Sequence, residues 1–106
     1  MFNFNPISGW TLELELECFV ICKKLEVEKF PRGMQTELCD ELSKRCSLDS
    51  GTLKAKVGNF KSESGHTNET NASKATKYIV ENYGAMDFYQ AKALLKGYQL
   101  AIQENA

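Results

Sequence analysis

Thr52, Lys54, Lys56, Asn59 and Lys61, in the stretch GTLKAKVGNFK, have types and spacing suited to meeting a polyanion. Lysine neutralises phosphates or reaches guanine edges, asparagine can pair with adenine, and threonine meets phosphate or the thymine methyl. Lys44 and Arg45 lie just upstream and would stand near a nucleic-acid backbone. Together these residues make double-stranded DNA the expected partner. The charge distribution agrees. Residues 44–61 carry five bases against one acid, whereas residues 1–43 carry eight acids against four bases, in a chain of net charge −1. A basic segment inside a mildly acidic chain is a localised field rather than a general aid to solubility. The plainer reading of the same lysines is a solvated face on a helical hairpin.

Groups for catalysis are sparse. There is one histidine, His66, in a polar stretch, and no glycine-rich phosphate cradle or histidine-bearing metal motif. Glu13, Glu15 and Glu17 fall near a helix start, where the macrodipole explains them without acid–base work. No enzyme, cofactor or metal site is expected. The cysteines at 18, 22, 39 and 46 lack the close C-x2-C pairing of a zinc site, and their spacing suits small core residues in a reducing compartment.

These groups need a scaffold, and the length of 106 residues fits one domain, 1–106, around a single core. The longest apolar run is Cys18–Cys22, far short of a membrane span, so no membrane association is expected. The start MFNFNPISGW has neither a basic end nor an apolar core, so a cytoplasmic location is expected. On that expectation the glycosylation-like NET at Asn68 and NAS at Asn71 are polar loop and cap residues.

The expected fold is all-α, with about five short helices. WTLELELECFVICKKLE alternates like a strand but also carries a helical stripe, Trp10, Leu14, Cys18, Ile21 or Cys22, and Leu25. Its length, its helix-forming Leu, Glu and Lys, and Thr11 as a cap favour helix. Phe30-Pro31 ends that segment, and Thr36 starts a second helix with Leu38, Leu42 and Cys46 at helical spacing. SLDS then breaks the chain, and Ser50 caps a helix ending near Asn59 or Phe60. Residues 36–60 thus form a helix-turn-helix-like core, with Leu53, Val57 and Phe60 buried and Thr52, Lys54, Lys56, Asn59 and Lys61 outward or flanking. Phe60 anchors that helix end, and Asn59 has a second reading as a helix C-terminal residue tolerant of left-handed backbone. Asn71 or Ser73 opens a fourth helix closed by Gly84, and Asp87 caps a final one over about 87–103.

SLDSGTLKAKVGNF and TNASKATKYIVENY resemble the N-terminal helix-turn-helix-like module of some bacterial HNH-type endonucleases. The resemblance covers about residues 10–83. It is carried by Trp10 and Thr11 with Glu13 and Glu15, by Leu38 and Leu42, by Leu53, Lys56, Val57, Asn59 and Phe60, and by Asn71, Ser73 and Lys74. It implies a helical module that docks on DNA and guides an attached effector. Two features depart from the pattern: no HNH motif follows in this chain, and Gly33 and SKRC replace the more usual turn and arginine-rich start. The alternative expectation is a protein-interaction module, or a homodimer, using the first helix or the aromatic final helix (Phe88, Tyr89, Tyr98).

Overall fold

A computed structural model describes residues 4–67 and 72–104. It is all-helical: α1 (Leu12–Val27), α2 (Met34–Ser43), α3 (Ser50–Glu63), α4 (Lys74–Tyr83) and α5 (Phe88–Glu104) follow a 3-10 turn at Pro6–Ser8. Asn68 and Asn71 lie outside the described residues.

The helix starts follow side-chain chemistry. The Thr11 hydroxyl accepts from the Leu14 amide at 3.1 Å, and Glu13 and Glu15 occupy the first turn of α1. Ser73 caps α4 by accepting from the Thr76 amide at 3.2 Å. At α5 the Asp87 carboxylate accepts from the Gln90 amide at 2.8 Å, while the Gln90 side chain accepts from the Asp87 amide at 2.9 Å, a reciprocal capping box.

Three boundaries differ from the sequence expectation. The cap of α3 is Asp49, whose carboxylate accepts from the Thr52 amide at 2.7 Å; Ser50 is the first helical residue and hydrogen-bonds Asp40 instead. That helix runs on to Glu63, so Asn59 sits in its interior and not at its C-terminus. Helix α2 begins at Met34, ahead of Thr36, with Gly33 at the cap position at φ 87°, where a side chain would be strained. Just upstream, α1 closes through Lys29 and Phe30, both left-handed at φ 63° and 54°, with the Phe30 amide donating to the Leu25 carbonyl at 2.8 Å.

Helix α1 is the centre of the molecule, and α2, α3, α4 and α5 all pack against it. A helix enclosed on several sides needs apolar residues all round, which is why Leu12, Leu14 and Leu16 alternate as they do. Leu16, Cys18, Phe19, Ile21, Cys22 and Leu25 of α1 are buried with Cys39, Leu42, Leu53, Val57, Phe60, Ile79 and Ala91 from the surrounding helices. Phe19 and Phe60 meet with ring centroids 5.7 Å apart. Each large apolar side chain buried in this way contributes roughly 1.5–3 kcal/mol.

The cysteines serve that core. Burial pushes the Cys22 thiol up to about 12 and Cys39 up to about 11, and raises Cys18 further, so these three are poor nucleophiles at neutral pH. Cys46 is half-buried, with its sulfur 3.6 Å from the Leu48 carbonyl oxygen. Alkylation of the native protein with iodoacetamide near pH 8, read by mass spectrometry, is expected to modify Cys46 first and Cys18, Cys22 and Cys39 only on unfolding. Equal rates at all four would contradict this packing.

Candidate functional site

The lysines of α3 do not share one face. Leu53, Lys56, Val57 and Phe60 fall at i, i+3, i+4 and i+7 on α3 and are all buried. Lys56 therefore points into the protein, correcting the expectation that it lies outward or flanking with Lys54. Its ammonium sits 2.8 Å from Glu15 Oε2, 3.3 Å from Thr76 Oγ1 and 3.4 Å from Ser73 Oγ, and 4.6 Å from the centroid of the half-buried Trp10 ring. The Thr76 hydroxyl donates to Glu15 Oε1 at 2.8 Å. Glu15 is 1%, Lys56 9% and Thr76 0% exposed.

Three donors on the ammonium thus have three oxygen partners, and both carboxylate oxygens are engaged. This is a closed polar centre joining α1, α3 and α4, with Trp10 packed across it as a cation–π partner. Ser73 stands close to a lysine, but that lysine is held by a carboxylate and Ser73 is occupied as a helix cap, an arrangement that binds structure together and prepares no nucleophile.

The other basic candidates are dispersed. Lys61 donates to Gln35 Oε1 at 3.0 Å and lies 5.5 Å from the Phe30 ring centroid, while Gln35 Nε2 donates to the Lys54 carbonyl at 3.2 Å, so these groups tie α3 to the start of α2. Lys44 pairs with Glu41 at 3.1 Å and Arg45 with Glu17 at 3.5 Å. Thr52 and Asn59 are half-buried on α3. The exposed side of the neighbouring α2 carries Glu37, Asp40 and Glu41.

His66, exposed in the loop after α3, reaches the C-terminal end of α1. Its Nε2 lies 2.6 Å from Glu26 Oε2, and its ring stands edge-on to Phe30 with centroids 4.9 Å apart. Burial pushes the Glu26 carboxyl up, but hydrogen bonds from His66 and Lys23 outweigh it and hold the group below its ordinary range. Among the described residues, no three His, Cys, Asp or Glu side chains converge as a metal site.

A different feature opens between α1, α2 and α5: a groove of about 450 Å³. Val20 and Ile21 of α1, Leu38 of α2, and Phe88 and Leu95 of α5 give it an apolar lining, and Lys24, Arg45, Lys92 and Lys96 stand among its polar residues with Glu17, Glu41 and Gln99. Leu38 packs against the core cluster and also lines this groove. Helix α5 fully buries only Ala91 and leaves Tyr89 73% and Leu100 54% exposed. Gln99 fastens it to α1, donating to Glu13 at 3.0 Å and Glu17 at 3.3 Å. On the other flank of α5, Tyr78, Tyr83 and Tyr98 border a smaller apolar cavity of about 140 Å³. The sequence signal for the groove is the Phe88–Lys92–Lys96 spacing, which puts two lysines along the edge of an apolar helix face.

No family model, curated protein or solved structure matches this chain. Its own geometry therefore carries the functional reading.

The polar centre has a measurable signature. Lys56→Ala should destabilise the fold by about 3–5 kcal/mol, because it leaves the Glu15 carboxylate buried without its cation. The Glu15→Gln/Lys56→Met double variant should lose markedly less than the two single changes together, as a urea-denaturation cycle would record. Additive losses would show that the two residues are not coupled.

Proposed function

We propose that this chain is a protein-interaction module that receives a partner in the groove between α1, α2 and α5. The observation that carries the reading is the groove itself: an apolar floor assembled from three helices and edged by cations, beside a final helix with little of its surface committed to the core. Apolar clefts between helices, carrying a few placed polar groups, are a common form of binding site. The reading assigns no reaction to the chain.

The competing reading is a helix-turn-helix protein that docks α3 on DNA. It loses Lys56, one of the lysines its motif supplies, to the core. The segment joining α2 to α3, residues 44–49, is also longer than the turn of about three to four residues usual in such hairpins. Lys44, Lys54 and Lys61 remain as candidate phosphate contacts, so DNA is tested directly.

A photo-crosslinking residue placed at Lys96 or Arg45 should form adducts with a protein in the native cells, and one placed at Lys54 should not. Anisotropy of a labelled random-sequence duplex at low salt should show no binding that depends on Lys54 and Lys61. Salt-sensitive duplex binding abolished by Lys54→Glu/Lys61→Glu, with no groove adducts, would overturn the proposal in favour of DNA.

A further inference from the structure

The groove has a length, a charge balance and a wall type, and together these specify a class of occupant. Along α5 its lining residues Phe88, Lys92, Leu95, Lys96 and Gln99 fall at i, i+4, i+7, i+8 and i+11. At 1.5 Å per residue this is a continuous face of roughly 16 Å, about three helical turns. Val20, Ile21 and Leu38 complete the apolar trough from the opposite wall.

The charges are not balanced. Glu17 is engaged by Arg45 at 3.5 Å and Gln99 at 3.3 Å, and Glu41 by Lys44 at 3.1 Å. Lys24 is paired with Glu28 at 3.1 Å. Lys92 and Lys96 have no carboxylate within 4.0 Å among the described residues; Lys92 lies 5.2 Å from the Phe88 ring centroid. Two unpaired cations one turn apart thus edge an apolar trough whose acids are already occupied. A carboxylate-bearing partner gains from that edge, and a basic one is repelled.

The wall type limits the partner's conformation. There is no strand among the described residues, hence no sheet edge there for an extended peptide to join. A trough walled by helices takes a helix laid along it, apolar stripe inward and charged flanks at the edges.

We infer that the occupant of the groove is an amphipathic α-helix of a partner protein, carrying Asp or Glu on the flank that meets Lys92 and Lys96. This inference rests on the groove being the interaction site.

The test uses two fluorescein-labelled amphipathic peptides of about 16 residues, long enough to populate helix. They share one leucine stripe, and one carries Glu on its flanks where the other carries Lys. Titrated with the full chain, the Glu peptide should bind roughly tenfold tighter than the Lys peptide, and the difference should shrink with added salt. Lys92→Glu/Lys96→Glu, checked for native helicity by circular dichroism, should invert the preference. Equal affinity for both peptides, unmoved by the charge reversal, overturns the acidic-partner inference while leaving the groove as a docking site. No binding of either peptide, with groove positions still crosslinking a protein, overturns the helical occupant alone. No peptide binding and no crosslinking overturn both. Self-association lost in the charge-reversed variant, without peptide binding, would make the occupant a second copy and likewise overturn the inference.

Discussion

The Glu15–Lys56 ion pair constrains the structure more than any other single contact. A carboxylate near the start of a central helix has been carried out of water, a cost of several kcal/mol unless charge and hydrogen bonds are returned to it. Lys56 returns the charge, Thr76 supplies a hydrogen bond, and Ser73 takes up a further ammonium donor. Because these partners come from α3 and α4, the pair admits one rotation of α3 about its axis and one placement of the start of α4. Trp10 packs over the ammonium, so the chain entering α1 is held by the same centre. Apolar burial supplies most of the driving force, but it is non-directional. The polar centre chooses among the ways the helices could pack.

That choice decides which helix faces stay open. With Lys56 turned inward, α3 spends its strongest face on the core, and its remaining lysines are separated or already partnered. The surface left uncommitted lies along α5, which rests mainly on α1 through Ala91 and a row of half-buried side chains. A terminal helix packed chiefly on one neighbour leaves grooves on both flanks, and the larger brings three helices and four cations together.

Much of the fold was legible in the sequence because caps and breakers act locally. Thr11, Ser73 and Asp87 announce the helices they start, and Phe30-Pro31 ends α1 where expected. Asp49 rather than Ser50 caps α3 because a carboxylate competes well for the same amide and stands one residue earlier. The strand-like alternation in α1 was ambiguous for a reason periodicity cannot resolve: a helix enclosed by four others has no single wet face. Lys56 was misplaced by residue type. Its position, three residues after Leu53 and one before Val57, puts it on the inward stripe, whereas lysine as a class belongs outside. Its partner Glu15 is 41 residues away in the chain, and no local pattern links the two. The groove was illegible for the same reason, since it exists only where three helices distant in sequence meet.

Lys56 is a structural cation sealed against Glu15 and not a ligand-facing one. Side-chain ammonium NMR on ¹⁵N-lysine-labelled protein tests this most directly. A Lys56 ammonium signal that exchanges slowly with water, is restrained compared with Lys54, and stays unmoved when duplex DNA is added is the predicted result. A Lys56 signal in fast exchange with solvent that shifts on adding DNA would contradict the account.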